Sequence, residues 1–483
     1  MRASLFNVSV PLAGGTDVFL LNTLSDAQAI VSRDVADFLS RLGHTDVDPS
    51  AATREEREAL SVLRADGFVV DGQEEERAAV RKRFADMRED ISQLRVTVLT
   101  TLQCNFACDY CVQGDHGPHS NTDRMSLDTA GRTLAWIESR LDELQPTSFA
   151  LTFFGGEPLL NLPAVYYLAE HAWQACERRG IRMLINVITN GLLLTPEVVD
   201  RLLPFGLNGV KVTLDGARDE HNAARPLRGG QGTFDRIVEN VRHVAGKCRV
   251  AIGGNFQEGT TGSFVELLDF LAAQDFAPLL DKVAFKPVIQ PKPKAPRGVI
   301  PLTLVTGSTP VTSALATRPQ PASSPCDSCH FVDDQMIALR EATQARGFRT
   351  VDGVHMGPCE LHRRHAYTIG PNGGLYTCPG FAGEASEAVG HITTEATDHQ
   401  RLAAARFERL SPWRSSCGDC AYVPVCGGGC SVASHTEQGD LFEPSCHKSS
   451  FDAGVAALAR EAAQNAEVQP SLSSPFPPFG KAS

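Results

Sequence analysis

The sequence predicts an α/β fold, a partial (β/α)6 barrel of the TIM type with a small α+β domain before it and a cysteine-rich domain after it. In the middle of the chain, short apolar, β-branched segments alternate with longer helical patterns, which is typical of a parallel sheet with crossover helices. Most of the 14 cysteines lie in one short loop or in the C-terminal third. A chain of 483 residues with 42% hydrophobic residues is long and apolar enough for several packed domains.

The first predicted unit is the N-terminal α+β domain, over residues 1–92. Strand patterns flank a turn that contains Gly14 and Gly15, and two amphipathic helical patterns follow them. The predicted elements are strands at 6–12 and 18–21 and helices at 33–42 and 54–65.

The second predicted unit is the barrel, over residues 93–290. Its six candidate strands are 96–99, 149–154, 183–188, 209–214, 249–252 and 282–288. Folds of this kind bind their ligands at the carboxyl ends of the strands, so unusual residues at those ends are candidates for a functional site.

The remaining boundaries follow from composition. Residues 291–325 belong to a stretch rich in Pro, Ser and Thr without periodicity, which predicts a linker or a cover over the barrel. The cysteine-rich domain is predicted at 326–455, and residues 456–483 are predicted to be the end of a helix and a disordered tail.

The most informative motif is the triad Cys104, Cys108 and Cys111, which forms Cys-x3-Cys-x2-Cys directly after the first barrel strand. Three thiolates in one short loop, with no fourth cysteine nearby, can hold an iron–sulfur cube that leaves one iron without a protein ligand. Zinc with a distant fourth ligand is the alternative, although structural zinc sites usually use paired Cys-x2-Cys motifs. Disulfides are disfavoured because the N-terminus has no apolar core of a secretory signal.

This spacing, with the aromatic Tyr110 just before the last cysteine, resembles the signature of the radical S-adenosylmethionine (SAM) enzymes. The resemblance implies a [4Fe-4S] cluster whose open iron binds SAM, and reductive cleavage of SAM to a 5'-deoxyadenosyl radical. It continues after the second strand, where Gly155, Gly156, Glu157 and Pro158 match the family motif Gly-Gly-Glu-Pro. In the family this segment holds the amino group of SAM.

Further candidates for binding SAM follow the next two strands. Thr189 and Asn190 lie at the end of one strand and Asp215 at the end of the next, and they resemble family segments that line SAM or the substrate cavity. Plain strand-ending turns are the alternative. The resemblance also covers His221 and Arg225. No catalytic residue is assigned, because Asn222 and residues 253–255 depart from the family pattern.

The C-terminal cysteines resemble the SPASM domain, a module that binds auxiliary clusters in one branch of the family. By this resemblance one auxiliary [4Fe-4S] cluster uses Cys417, Cys420, Cys426 and Cys446. The other uses Cys359, Cys378 and Cys430 with a fourth ligand that has no cysteine at the family position.

The nearest candidates for that fourth ligand are Cys326 and Cys329, a Cys-x2-Cys pair. They could complete the cluster, hold a separate metal, or leave an open iron. Zinc is the alternative for the whole C-terminal set. Cys176 and Cys248 have no partner motif and are predicted to be buried free thiols.

The resemblance implies hydrogen abstraction from a residue of a ribosomally made peptide, with an electron donor such as flavodoxin or ferredoxin. The N-terminal domain resembles winged-helix elements that bind a leader peptide in some of these enzymes. Two alternatives remain: a sulfatase maturase that makes formylglycine, and a non-catalytic electron-transfer or zinc-binding protein.

The composition limits which partners the protein could bind and where in the cell it is expected. A net charge of −12 argues against binding of nucleic acid, which needs a dense Lys/Arg surface, but leaves open a local basic groove for an acidic peptide. No apolar run has the roughly 18 residues of a membrane helix, so no membrane partner is expected and the predicted location is the cytoplasm.

Overall fold

The structure is a computed structural model that describes residues 1–44, 54–111, 113, 124–257, 259–288, 329–351, 354, 357–394, 417–418, 420–440, 443–446 and 448–468. The predicted linker at 291–325 and the tail at 471–483 lie outside these residues. In the described ranges no helix is both long enough and apolar enough to cross a bilayer. Strands and helices are numbered below in chain order.

The N-terminal region contains a three-stranded antiparallel sheet, and every strand and helix expected there is present. Its elements are β1 (Arg2–Ala3), β2 (Asn7–Pro11), β3 (Asp17–Asn22), β4 (Gln28–Ser32), α1 (Arg33–His44), α2 (Arg54–Ala65), β5 (Val69–Val70) and α3 (Gln73–Glu89). The sheet has the order β2-β3-β4, and β1 pairs separately with β5. Leu20 of β3 packs with the core of α1 and α2, whereas Phe19 and Leu21 pack against Tyr422 near the C-terminus. Both faces of this sheet are therefore covered.

The centre of the molecule is a large, mostly parallel sheet. Its first six strands are β6 (Gln93–Thr101), β7 (Ser148–Gly155), β8 (Arg182–Thr189), β9 (Leu207–Thr213), β10 (Arg249–Phe256) and β11 (Leu280–Pro287). Each of these strands pairs in parallel with the next one along the chain. All six strands predicted from the sequence are confirmed, and their carboxyl ends lie along one edge of the sheet.

Helices connect these strands. They are α4 (Leu127–Leu144), α5 (Leu162–Arg179), α6 (Pro196–Leu202), α7 (Arg218–Ala224), α8 (Phe234–Val244), α9 (Thr261–Ala272) and α10 (Cys329–Ala345). Along β7 the side chains alternate between buried and partly buried, with Leu151 and Phe153 in the main apolar core. Alternation of this kind arises because successive side chains of a strand point to opposite faces. One face of β7 is thus packed in the main core, and its other face is partly buried.

The C-terminal region extends the same sheet. Its elements are β12 (Ala366–Ile369), β13 (Gly374–Tyr376), β14 (Gly390–His391), α11 (Val423–Cys426), α12 (Ser431–Gln438) and α13 (Lys448–Val468). Strand β12 pairs in parallel with β6, and β13 and β14 follow in antiparallel order, so the sheet has nine strands. Helix α10 packs on β11, α9 and α13. The sequence did not predict this direct attachment of the C-terminal region to the first strand of the core.

Candidate functional site

The three cysteines of the triad lie in the loop after β6, which is fixed to the segment after β9. The backbone N–H of Ala107 donates to the carbonyl of Pro226 at 3.0 Å, and the N–H of Arg228 donates to the carbonyl of Asn105 at 3.0 Å. Burial, with Glu157 and the other two thiols of the triad nearby, raises the pKa of Cys104 to about 12. The loop therefore gathers three thiols in one partly buried place.

The glycine pair after β7 touches the backbone of this loop. Gly155 has a φ of +142°, and a Cβ there would lie 2.2 Å from the carbonyl oxygen of Thr101. A Cβ on Gly156 would lie 2.3 Å from the carbonyl oxygen of Gln103. Only glycine permits such a close approach, and the N–H of Gly156 uses it to donate to Thr101 at 3.0 Å. The motif therefore braces the start of the cysteine loop.

Glu157 is fully buried, and its carboxylate connects the ends of β7 and β8. It accepts hydrogen bonds from Thr189 Oγ1 at 2.7 Å, the Asn190 backbone N–H at 2.7 Å and the Leu159 N–H at 3.0 Å. Asn190 Nδ2 in turn donates to Asn105 Oδ1, between the first two cysteines, at 2.7 Å. Burial raises the pKa of Glu157, and these donors act against the rise. The side chain of Glu157 is thus occupied by the protein, and the predicted residues Thr189 and Asn190 lie beside it.

Asp215, just after β9, belongs to a second buried polar group. Its carboxylate accepts from the Tyr110 hydroxyl, from Arg225 Nη1 at 3.3 Å and from the Asn255 N–H at 2.7 Å. Arg225 Nη1 also donates to the Tyr110 hydroxyl at 2.7 Å, and its guanidinium carbon lies 5.6 Å from the ring centroid of Phe106. Burial raises the pKa of Asp215, and Arg225 opposes the rise. This group joins the cysteine loop to the ends of β9 and β10.

His221 supports this group as a neutral imidazole. Its Nδ1 accepts from the backbone N–H of Asp215 at 3.1 Å, so its proton lies on Nε2, 3.0 Å from Thr233 Oγ1. The Thr233 hydroxyl donates its own hydrogen bond to the Arg225 carbonyl at 2.9 Å. Burial, with Arg225 nearby, lowers the pKa of His221 to about 3. A positioning role therefore suits His221, and proton transfer near neutral pH does not.

The seven C-terminal cysteines form the two sets that the sequence grouped. Burial, and then the thiols of Cys359 and Cys430, raise the pKa of Cys378 to about 12. In the other set, burial and then the thiols of Cys417, Cys420 and Cys446 raise the pKa of Cys426 to about 11. The four thiols of this second set line one small cavity. Each set is thus close enough for its members to interact electrostatically.

The spacing within the cysteine groups bears on which cofactor they fit. In the described part of the chain, no three His, Cys, Asp or Glu side chains are arranged to hold a single metal ion. An iron–sulfur cube is larger than one ion and keeps its thiolate ligands further apart. The four thiols of the second C-terminal set, which line one cavity, have the donor chemistry of a cluster site.

Four other cysteines have different outcomes. Cys326 lies outside the described residues, and Cys329 begins α10 without a described side chain, so the fourth auxiliary ligand stays a prediction. Cys176 is a free thiol, 1% exposed, in the main core, as predicted. Cys248 is a free thiol that is half-buried rather than buried, because it packs at the edge of the main core.

Sequence reasoning missed Asn105, Asn255 and the bonding role of Arg225. Asn105 lies inside the triad motif, where its amide partner is 85 residues away in the chain. Asn255 ends β10 at the same edge as Asp215. A polar residue at the carboxyl end of each neighbouring strand was the available signal.

A triad of thiols at the carboxyl edge of a parallel sheet, braced by Gly-Gly-Glu-Pro, defines an iron–sulfur enzyme of the α/β class. Residues 98–271 match the profile of the Radical SAM superfamily. The core of the chain thus matches a Radical SAM domain, and members of that superfamily use a [4Fe-4S] cluster and SAM.

Individual relatives cover different parts of the chain. Mycofactocin maturase MftC of Mycobacterium ulcerans (strain Agy99) is 26% identical over 355 residues, which span 69% of this chain and 81% of that protein. GTP 3',8-cyclase of Synechococcus sp. (strain WH7803) is 35% identical over 147 residues, 29% of this chain and 39% of that enzyme. A solved structure of native anSMEcpe with bound AdoMet and Kp18Cys peptide has a TM-score of 0.55 at 14% identity, covering 77% of this chain and 99% of that one. This last likeness supports the fold.

Proposed function

We propose that this radical SAM enzyme modifies a residue of a ribosomally made peptide, beginning with abstraction of a hydrogen atom. The observation that carries the proposal is the presence of two further groups of neighbouring cysteines behind the triad, in a region attached to the first strand of the core. The match to mycofactocin maturase MftC extends over 69% of the chain, well beyond the residues of the superfamily profile.

The cofactor site is proposed from the triad outward. Cys104, Cys108 and Cys111 would hold the SAM-binding cluster. When bound, that cluster and SAM supply a 5'-deoxyadenosyl radical. The protein holds the cysteine loop in position. Glu157 binds Asn190, which contacts the loop, and Asp215 and Arg225 hold the side chain of Tyr110. Residues 155–158, Thr189, Asn190 and Asp215 would then line SAM, with the backbone and amide groups of the strand ends facing it.

The C-terminal sets are proposed to hold two auxiliary [4Fe-4S] clusters, with ligands as the sequence grouped them. Their place beside β6 suits passage of an electron out of the substrate radical, or direct binding of the substrate. An external donor such as flavodoxin or ferredoxin would supply the electron that cleaves SAM. A cytoplasmic location is proposed with this, because reduced thiols and a low-potential donor are found there.

We also propose that the N-terminal sheet binds the leader part of the peptide. Within the described ranges, β4 pairs with β3 along one side alone, which leaves its other edge with free backbone groups. An extended peptide can add to such an edge as a further strand. The six parallel strands are likewise proposed to curve as a partial barrel around the substrate.

The test uses the full chain, reconstituted with iron and sulfide without oxygen and reduced, together with the peptide from a small open reading frame sought beside its gene. The expected result is a change of peptide mass that requires SAM, and transfer of deuterium from labelled peptide into 5'-deoxyadenosine. A sulfatase peptide converted to formylglycine instead would favour the sulfatase maturase. Formation of 5'-deoxyadenosine without any change in either peptide would contradict the peptide proposal while leaving the superfamily assignment intact.

A further inference from the structure

Three lysines lie on one face of the sheet, one on β9 and two on the edge strand β11. Ala251 of β10 pairs with Lys211 of β9 on one side and with Lys282 of β11 on the other. Lys286 is four residues beyond Lys282 and pairs with Asn255. Since residues an even number of positions apart in a strand share a face, the three side chains point to the same side.

Strand β10, which lies between the lysines, has small residues where the Lys211 side chain crosses it. A Cβ on Gly253 would lie 2.6 Å from Cε of Lys211, so the lysine side chain crosses β10 directly over this glycine. Any larger residue at 253 would displace it. Ala251 keeps the adjoining position small as well. The side chain of Lys211 is thereby directed toward β11 and its two lysines.

This lysine surface, Lys211 with Lys282 and Lys286, carries positive charge that the rest of the described chain does not neutralise. All three residues are exposed, and none forms an ion pair or hydrogen bond with a described carboxylate. Next to Lys211, Ile188 pairs with it from β8, and Ala251 and Gly253 lie on β10. The charged residue two positions before Ala251, Arg249, is already paired with Asp281 at 3.0 Å. Burial, then Lys286 and Lys282, lower the pKa of Lys211 to about 8. The site is therefore recessed but still open to solvent.

The lysine surface adjoins both parts of the proposed catalytic region. Asn255, the strand partner of Lys286, donates to Asp215 at 2.7 Å, and Asp215 binds Tyr110 of the cysteine motif. On the other side, the charge of Lys286 reaches Cys378 of the auxiliary set and lowers its pKa against the larger effect of burial. If the residue to be modified lies between the triad and the auxiliary set that contains Cys378, the adjacent residues of the peptide would lie near the lysines.

We propose that the lysine surface binds carboxylate side chains of the peptide substrate, so that the enzyme selects a peptide with Asp or Glu close to the residue it modifies. This rests on the proposed function, since it names the class of peptide that the enzyme accepts. Like charges held together without a counter-charge repel one another, and an acidic ligand removes that repulsion. An acidic peptide would also be drawn to this side of a molecule whose overall charge is −12.

The test measures binding separately from turnover, with the full reconstituted chain and two fluorescein-labelled probes. One probe is the peptide Gly-Glu-Gly-Glu-Gly-Tyr, and the other has Gln in place of each Glu. The variants are Lys211→Gln, Lys282→Gln and Lys286→Gln, and the matched control is Lys82→Gln, an exposed lysine paired with Asp86 on α3. Each test variant should lower the affinity for the acidic probe about fivefold to tenfold, and the control variant should change that affinity by less than about twofold.

Several readouts separate this role from others. The neutral probe, the affinity for SAM and the basal rate of 5'-deoxyadenosine formation should stay unchanged in all three variants. Raising the pH from 7 to 9 should weaken binding of the acidic probe, because Lys211 loses its proton near pH 8, and Lys211→Gln should reduce this dependence.

Equal affinity of both probes in the wild type, or an effect of Lys82→Gln as large as the others, would overturn the proposal. Loss of SAM affinity in the lysine variants would instead assign them to SAM. If the encoded peptide is not modified although the acidic probe binds as expected, the proposed function fails, whereas the lysine surface remains a binding site for acidic peptides.

Discussion

The cysteine triad and the auxiliary cysteines are held in different ways. Around the triad, the strand ends are tied by buried side chains such as Glu157 and Asp215, each with three or more protein partners. The auxiliary cysteines lie in short turns with many local backbone bonds, for example the Cys420 N–H to the Cys417 carbonyl at 3.0 Å. Distant residues contribute single bonds there, such as Gln113 Nε2 to the Pro379 carbonyl at 3.4 Å. From this difference we expect the fold to form the triad site by itself, and the proposed auxiliary sites to depend more on their clusters for rigidity.

Removing the metal tests this difference most broadly. In protein stripped of iron, we expect amide hydrogen exchange in residues 359–394 and 420–446 to accelerate about 100-fold, because their local turns lose the cluster that joins them. Strands β6 to β10 should change less than about threefold. Mass spectrometry of exchanged peptides from holoprotein and stripped protein measures both. Equal acceleration in the two regions would show that the triad site is not preformed.

Asp215→Asn should have the largest effect of a single substitution in the buried network. Arg225 would then be buried without its counter-charge, which costs about 3 kcal/mol of the free energy of unfolding. Tyr110→Phe, which removes one hydroxyl from the same group, should cost about 1 kcal/mol. Anaerobic urea unfolding followed by tryptophan fluorescence gives both values. Equal costs for the two variants would mean that the Asp215–Arg225 pair does not stabilise the loop.

Glu157→Gln should lower the free energy of unfolding by about 2 kcal/mol, because the new amide group must face an N–H or hydroxyl donor that the carboxylate now satisfies. The matched control is Glu239→Gln, on the exposed side of α8, with an expected change below about 0.5 kcal/mol. The melting temperature of each full-length protein is the measurement. A Glu157→Gln protein as stable as the control would exclude the bracing role.

His221 gives the smallest expected effect, and it depends on pH. Its folded-state pKa, about 3, lies below the unfolded value near 6.5, so the unfolded state binds more protons and stability falls as the pH drops through 6.5. Between pH 7.5 and 5.5 the wild type should lose about 1 kcal/mol more than His221→Gln, which keeps an acceptor and a donor but does not titrate. The same loss in both proteins would mean that His221 is protonated in the folded state.

The sequence was sufficient for the core because its signals are local. All six parallel strands are predictable from apolar, β-branched runs bounded by turns. The triad and Gly-Gly-Glu-Pro are contiguous motifs. The placement of Thr189, Asn190 and Asp215 near the cysteine loop then follows from the common edge of parallel strands.

Other features depend on pairings that a single sequence does not contain. The contact of β12 with β6 joins residues about 270 positions apart, and nothing in the run Ala366–Ile369 marks its partner. The inward direction of the Glu157 carboxylate depends on donors from another strand. The lysine surface needs the register of β9, β10 and β11, although the spacing of Lys282 and Lys286 already places those two on one face.

The most direct test of the central claim is the yield of 5'-deoxyadenosine from the reduced, anaerobically reconstituted protein with SAM. The wild type is compared with the triple variant Cys104→Ala, Cys108→Ala, Cys111→Ala, and the iron content of both is measured. The account predicts product from the wild type, none above background from the variant, and retention of about two thirds of the iron by the variant, since two of three clusters remain. Product from the variant, or no product from a fully iron-loaded wild type, would contradict the assignment of the triad as the SAM-cleaving site.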